Sequence, residues 1–289
     1  MTKPRLDGLY FFLFGSAMFL LLGIGMESAA PTSLTDFRGL YYPARCLIQK
    51  CDPYQESDVL RIAQAQGGIP ASDGEQERQV VTQNVYLPTA FFFTVPFAML
   101  PWGPAHLLWM GLTAGSFILA SFLAWDLGAG YAPILSGVLI GFLLANSEVP
   151  LITGNAAGIV ISFCAIAGWC FLRERFVLVG ILCLAVGLAL KPQDAGLVWL
   201  YFLLAGGIYR RRALQTLLAT VVLGLPGVLW VGHIAPLWFQ ELHSNLQAYS
   251  VRGMNDPGLA APSLVGAINL QTVFSAFWND PRIYNLLTY

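Results

Sequence analysis

The chain has 289 residues, of which 56% are hydrophobic and only 11% charged, with a net charge of -1 and a mean hydropathy of +0.64. A soluble core of this length cannot hide that much apolar surface from water, so the principal solvent is the bilayer and the chain reads as an all-α polytopic membrane protein. The charge is balanced and no basic tract occurs outside short loop clusters, so the sequence shows neither a nucleic-acid footprint nor a polybasic lipid patch.

In chain order, Lys3 and Arg5 precede the first apolar run, residues 9–26, which is about long enough to cross a bilayer. The flanking cations place the N-terminus in the cytoplasm. Ser28, Ala29 and Ala30 form a weak cleavage pattern, but the run is long for a signal segment and Pro31 follows, so it reads as an uncleaved anchor.

Residues 27–86 then form a first outer loop. Thr35 and Asp36 lead into Phe37, Leu40, Tyr41, Ala44, Leu47 and Ile48, spaced along one face of an interfacial amphipathic helix. Pro43 should kink this helix, and the turn-forming residues 50–54 should end it. A second short helix is predicted over about residues 56–66, and the Gly-rich polar stretch 67–84 reads as a surface loop. Cys46 and Cys51 fit either a disulfide or two half-buried thiols. No motif with the spacing of a metal site occurs, and no cofactor is implied.

Residues 87–101 carry Pro88, Pro96 and Pro101 and are short for a crossing, so they are predicted to be re-entrant or interfacial. Further apolar runs at 104–125, 132–147, 155–172, 176–190, 195–209 and 213–232 bring the expected total to about seven transmembrane helices. This arrangement leaves Arg173 and Arg175, and Arg210, Arg211 and Arg212, in cytoplasmic loops, as the positive-inside rule expects. Residues 1–232 then form the transmembrane module, and 233–289 an outer C-terminal loop. Residues 147–153 and 191–194 share the outer face with both loops.

Asp36 with Phe37, Arg38, Gly39, Leu40, Tyr41, Tyr42, Pro43 and Ala44, then Asp52, Pro53 and Tyr54, then Tyr86, Leu87 and Pro88, resembles glycosyltransferase family 87. The resemblance continues through Pro96, Leu100 and Pro101, Gly154 and Asn155, Lys191 and Pro192, and Asn255 with Ser263 and Leu264. It implies the C-type membrane glycosyltransferase fold, in the cytoplasmic (inner) membrane of a bacterium, and a polyprenyl-phosphate sugar as donor on the outer face. It also implies a lipid or glycan acceptor, inversion without a metal, and an Asp in the first outer loop as catalytic base. The chain departs from the family pattern at Leu87, where a second Pro is common, at Asn155, where Gln is common, and at Pro43. The family usually continues through further C-terminal spans, so truncation within the last outer loop is expected.

Glycosyl transfer from a lipid phosphate needs a base for the attacking hydroxyl and a cation for the departing phosphate. Asp36 is the expected base; the alternative is an N-cap of the loop helix. Lys191, where an apolar run meets the outer face, is expected to bind phosphate, or else to pair with Asp194. Arg38 and Arg45 either assist or meet headgroups, and Asn155 either binds sugar or caps a helix. Tyr54, Tyr86, His233 and Asn255 complete the expected substrate-binding set, on the family motif or, for His233, on neighbouring interfacial aromatics. Two other functions compete: a transporter or flippase of lipid-linked sugars, and a non-catalytic membrane subunit. Charges gathered at span ends rather than at the midplane favour surface chemistry over transport.

Overall fold

The computed structural model describes residues 3–29, 34–67 and 75–251, and all regular structure among them is helical. Asn255, Ser263 and Leu264 lie outside the described residues. The chain divides into two compact units, Met1–Pro236 and Leu237–Tyr289.

The first unit begins with α1 (Lys3–Ala29), followed by the loop helices α2 (Thr35–Ile48), α3 (Glu56–Ala65) and α4 (Glu75–Thr82) and the apolar α5 (Pro88–Ala98). The bundle continues with α6 (Trp102–Gly128), α7 (Pro133–Ala145), α8 (Val149–Thr153), α9 (Ala156–Arg173), α10 (Val177–Leu190), α11 (Pro192–Ala205) and α12 (Gly207–Ile234). In the second unit, Trp238–Val251 forms α13 within the stretch expected as a loop.

Among the described residues five segments are long and apolar enough to cross a membrane: α1, α6, α7 through α8, α9 and α12. The remaining two expected crossings correspond to α10 and α11, at 14 residues each. Each extends about 21 Å, against a hydrocarbon core of roughly 30 Å. Residues 210–212 fall within the first two turns of α12 rather than in a loop, because the chain breaks earlier, at Gly206 and Gly207, both at positive φ.

Glycines set the closest helix pair. Gly8 of α1 faces Pro133 and Gly137, Gly15 faces Gly141, and Gly23 faces Leu151, so α1 and α7 run parallel with their backbones nearly touching. A Cβ at Gly15 would collide with the backbone of Gly141. On the other side of α1, Phe19 stacks on Phe117 at 5.4 Å and Phe12 meets Phe122 at 5.7 Å, placing α6 antiparallel. Phe12, Phe19, Leu144 and Leu151 form the buried core of this group. Gly180 against Cys170 and Phe171, and Gly187 against Val160, set α10 antiparallel to α9.

The consequence is a bundle with two chemically different ends. At one, Arg5 and Arg173 both reach Asp126, and buried Arg212 donates to the Phe171 carbonyl at 2.7 Å. At the other, α2 approaches the start of α9, and the turn between α10 and α11 reaches it through the Asn155 side chain. Here α2 remains one helix through the buried Pro43, and a disulfide joins Cys46 to Cys51. Helix α4 occupies part of the expected surface loop. Its EQERQVVT sequence is polar but contains good helix formers, and Val81 and Thr82 are buried where it meets α2 and α3.

The loop also holds both ends of α5. The Tyr54 hydroxyl donates to the Tyr86 carbonyl at 2.7 Å before the helix starts. At its end Arg45 Nη1 donates to the carbonyls of Ala98 (2.8 Å) and Leu100 (3.0 Å), satisfying acceptors that a helix terminus leaves open. With 11 residues, α5 spans about 16 Å and is too short to cross.

Candidate functional site

Asp36 is the second residue of α2, and its position is fixed from both sides. Before it, Leu34 turns through a left-handed conformation (φ 56°), and its N–H donates to the Ile152 carbonyl at 2.8 Å. After it, Phe37 stacks on Trp109 with centroids 4.4 Å apart, and the Trp109 indole N–H donates to the Gly154 carbonyl at 2.9 Å. Gly154 has φ +67°, and a Cβ there would meet Leu34 Cδ2 at 2.7 Å and Phe37 Cβ at 2.8 Å. Only glycine lets the loop helix approach the start of α9 this closely.

Asn155 links three groups. Its Nδ2 donates to Asp36 Oδ2 at 2.8 Å. Its Oδ1 accepts from the Ala157 N–H at 2.8 Å, capping α9, and from Lys191 Nζ at 3.2 Å. The reverse amide orientation would set Nδ2 against an ammonium and a peptide N–H, so the network itself fixes the orientation. Lys191 Nζ also pairs with Asp194 Oδ2 at 3.1 Å. Asp36 and Lys191, joined through one amide, come from the loop helix and the α10–α11 turn.

The N-cap position of α2 is Leu34, so Asp36 is not the cap residue. The half-buried carboxyl points to Asn155, and burial pushes its pKa above the ordinary 3.8, against hydrogen bonds from Asn155 and Thr153 and the charge of Lys191, which pull it down. A carboxylate in this position is more basic than one in water and still anchored by donors. Asn155 takes the capping role considered for it, and its amide nitrogen is engaged with the Asp36 carboxylate. Lys191 makes the local pair with Asp194 and also reaches toward Asp36 through Asn155.

The other expected residues are placed elsewhere. Arg38 lies over the Trp102 ring at 5.3 Å, and Arg45 is engaged with the end of α5 and with the Tyr41 hydroxyl at 3.2 Å. Tyr54 is buried; its ring meets Phe91 and its hydroxyl holds Tyr86, and burial raises its pKa well above 10.0. His233 is exposed in the last turn of α12, without a bond to the Asp36 group. Sequence reasoning missed Thr153, whose hydroxyl touches Asp36, and the pair of His106 with buried Glu27 at 3.1 Å. A carboxylate at the very end of an apolar run was the available signal for Glu27.

Chemically, the site offers one carboxylate of raised basicity beside one held ammonium, at the bundle end covered by a polar loop. That set suits a proton transfer coupled to stabilisation of a nearby anion. The family model for glycosyltransferase family 87 matches residues 84–280, a stretch that contains Asn155 and Lys191 and begins after Asp36. No curated protein and no solved structure matches the chain.

Proposed function

The chain belongs to glycosyltransferase family 87 and is a membrane glycosyltransferase, and on that footing we propose that it moves mannose or a related hexose or pentose from a polyprenyl-phosphate donor to a lipid or glycan acceptor. The observation that carries this reading is the hydrogen-bonded chain from Asp36 through Asn155 to Lys191. The acceptor hydroxyl oxygen attacks the anomeric carbon and forms the new glycosidic bond while Asp36 takes the hydroxyl proton. The bond from the anomeric carbon to the phosphate oxygen breaks, and its electron pair leaves on the phosphate, beside the Lys191 ammonium. Its raised pKa makes Asp36 the better base. Asp194 holds Lys191 at the level where a lipid phosphate lies.

In the same reading the Asp36 face is the outer face of a bacterial cytoplasmic membrane. Arg5, Arg173, Arg175 and residues 210–212 gather at the other end, which the positive-inside rule assigns to the cytoplasm. Helix α5, tied at both ends to the outer loop, enters the bilayer and returns.

The test uses the purified full chain and its Asp36→Ala variant with a panel of radiolabelled polyprenyl-phosphate sugars and a membrane-lipid extract. Label should pass into product with the native protein and not with a folded variant. Equal transfer by both would remove Asp36 from the mechanism, and donor binding without transfer by either would overturn the activity.

A further inference from the structure

The bundle end opposite Asp36 holds a second polar assembly that the proposed reaction does not use. A cavity of about 440 Å³ opens among Arg5, Asp126, Trp169, Arg173 and Arg175, at the start of α1 and the ends of α6 and α9. Asp126 is its hub: Oδ1 accepts from Arg5 Nη2 at 3.2 Å, and Oδ2 from Arg173 Nη2 at 2.9 Å and Trp169 Nε1 at 3.1 Å. Arg173 Nη2 also donates to the Asp126 carbonyl at 3.0 Å. One carboxylate thus positions two guanidiniums and leaves a surplus of positive charge.

Two further observations show unused donors. Arg5 Nε is buried with no hydrogen-bond partner, a state that costs free energy unless an acceptor fills it. The Arg175 side chain lines the cavity without a hydrogen bond or ion pair among the described residues. Each guanidinium carries five donors in a fork suited to phosphate oxygens. The surroundings are those of lipid: Leu6, Leu172 and Phe176, chain neighbours of these arginines, are 40%, 51% and 70% exposed, and an indole beside basic residues is typical of the membrane interface.

We propose that this cavity binds the phosphate of an anionic phospholipid from the leaflet at that end. The net positive lining selects an anionic over a zwitterionic headgroup, and the exposed apolar side chains receive the acyl chains. The sequence hides the site because Arg5 and Arg173 lie far apart in the chain and meet only through Asp126.

Native mass spectrometry of the purified full chain, titrated with phosphatidylglycerol, phosphatidylcholine or inorganic phosphate, tests this. The native protein should retain phosphatidylglycerol in preference to phosphatidylcholine. Arg175→Gln, at an exposed and unpaired position, should weaken that retention about tenfold, the loss of one charge-assisted contact. Arg211→Gln removes an exposed charge outside the cavity lining and should leave it unchanged. Equal weakening by both variants, or by neither, would overturn the site. Saturable binding of inorganic phosphate without a preference between the two lipids would overturn the lipid as its source.

Discussion

Asp36 and Asn155 separate chemistry from stability at the level of single residues. Replacing Asp36 by Asn keeps the shape and removes the proposed base, so transfer should fall by about two to four orders of magnitude. A group whose folded pKa is raised gives stability below its unfolded pKa and loses it as pH rises through the folded value. Asp36→Asn should therefore melt no lower than the native protein at neutral pH, and higher if burial dominates; a clear drop in Tm would mark the carboxylate as structural. The acid limb of the native pH-rate profile should lie above 3.8. Asn155→Asp keeps a good N-cap but sets a carboxylate against Asp36 where an amide donor stood. Activity should fall, and Tm should fall at neutral pH through like-charge repulsion and recover at acid pH, whereas Asn155→Ala should lose about 1 kcal/mol of cap stability.

Between elements, the approach of α2 to α9 is the contact on which the site depends. Gly154→Ala forces a side chain into a left-handed turn already filled by Leu34 and Phe37. A loss of about 1–3 kcal/mol is expected, with activity falling more steeply than stability, measured by thermal melting and transfer on the same preparation. The Cys46–Cys51 bond closes a short loop at the end of α2. The Cys46→Ser, Cys51→Ser double variant should lose about 2 kcal/mol by chain entropy and melt at the temperature of the reduced native protein. The spanning helices were legible because long apolar runs have few alternatives. Helix α4 was not, since its burial comes from α2 and leaves no apolar period in its own eight residues. Asp36, Asn155 and Lys191 could each be suspected from position. Their meeting could not, because the hydrogen bonds join residues 119 and 36 positions apart, and no local pattern encodes such a pair. Arg45 and Tyr54 show the converse: motif residues whose visible task is to hold α5.

For the whole molecule, the two ends make a topological prediction. Gln64 is exposed on α3 and Arg211 at the start of α12. In intact cells a cysteine at 64 should react with a membrane-impermeant maleimide, and one at 211 only after permeabilisation; the reverse pattern would invert the orientation. Within the Asp36 end, the nearness of the Lys191 charge has a consequence for order of events. The Lys191 charge holds the Asp36 proton affinity down, so an anion that neutralises Lys191 raises it, and a protonated Asp36 in turn changes the affinity for that anion, because such coupling is reciprocal. In the proposed reaction a donor phosphate at Lys191 would therefore strengthen the base on arrival, and the unloaded protein would present a weaker base to any stray hydroxyl. Water, the most abundant of those hydroxyls, would then meet the site in its less reactive state.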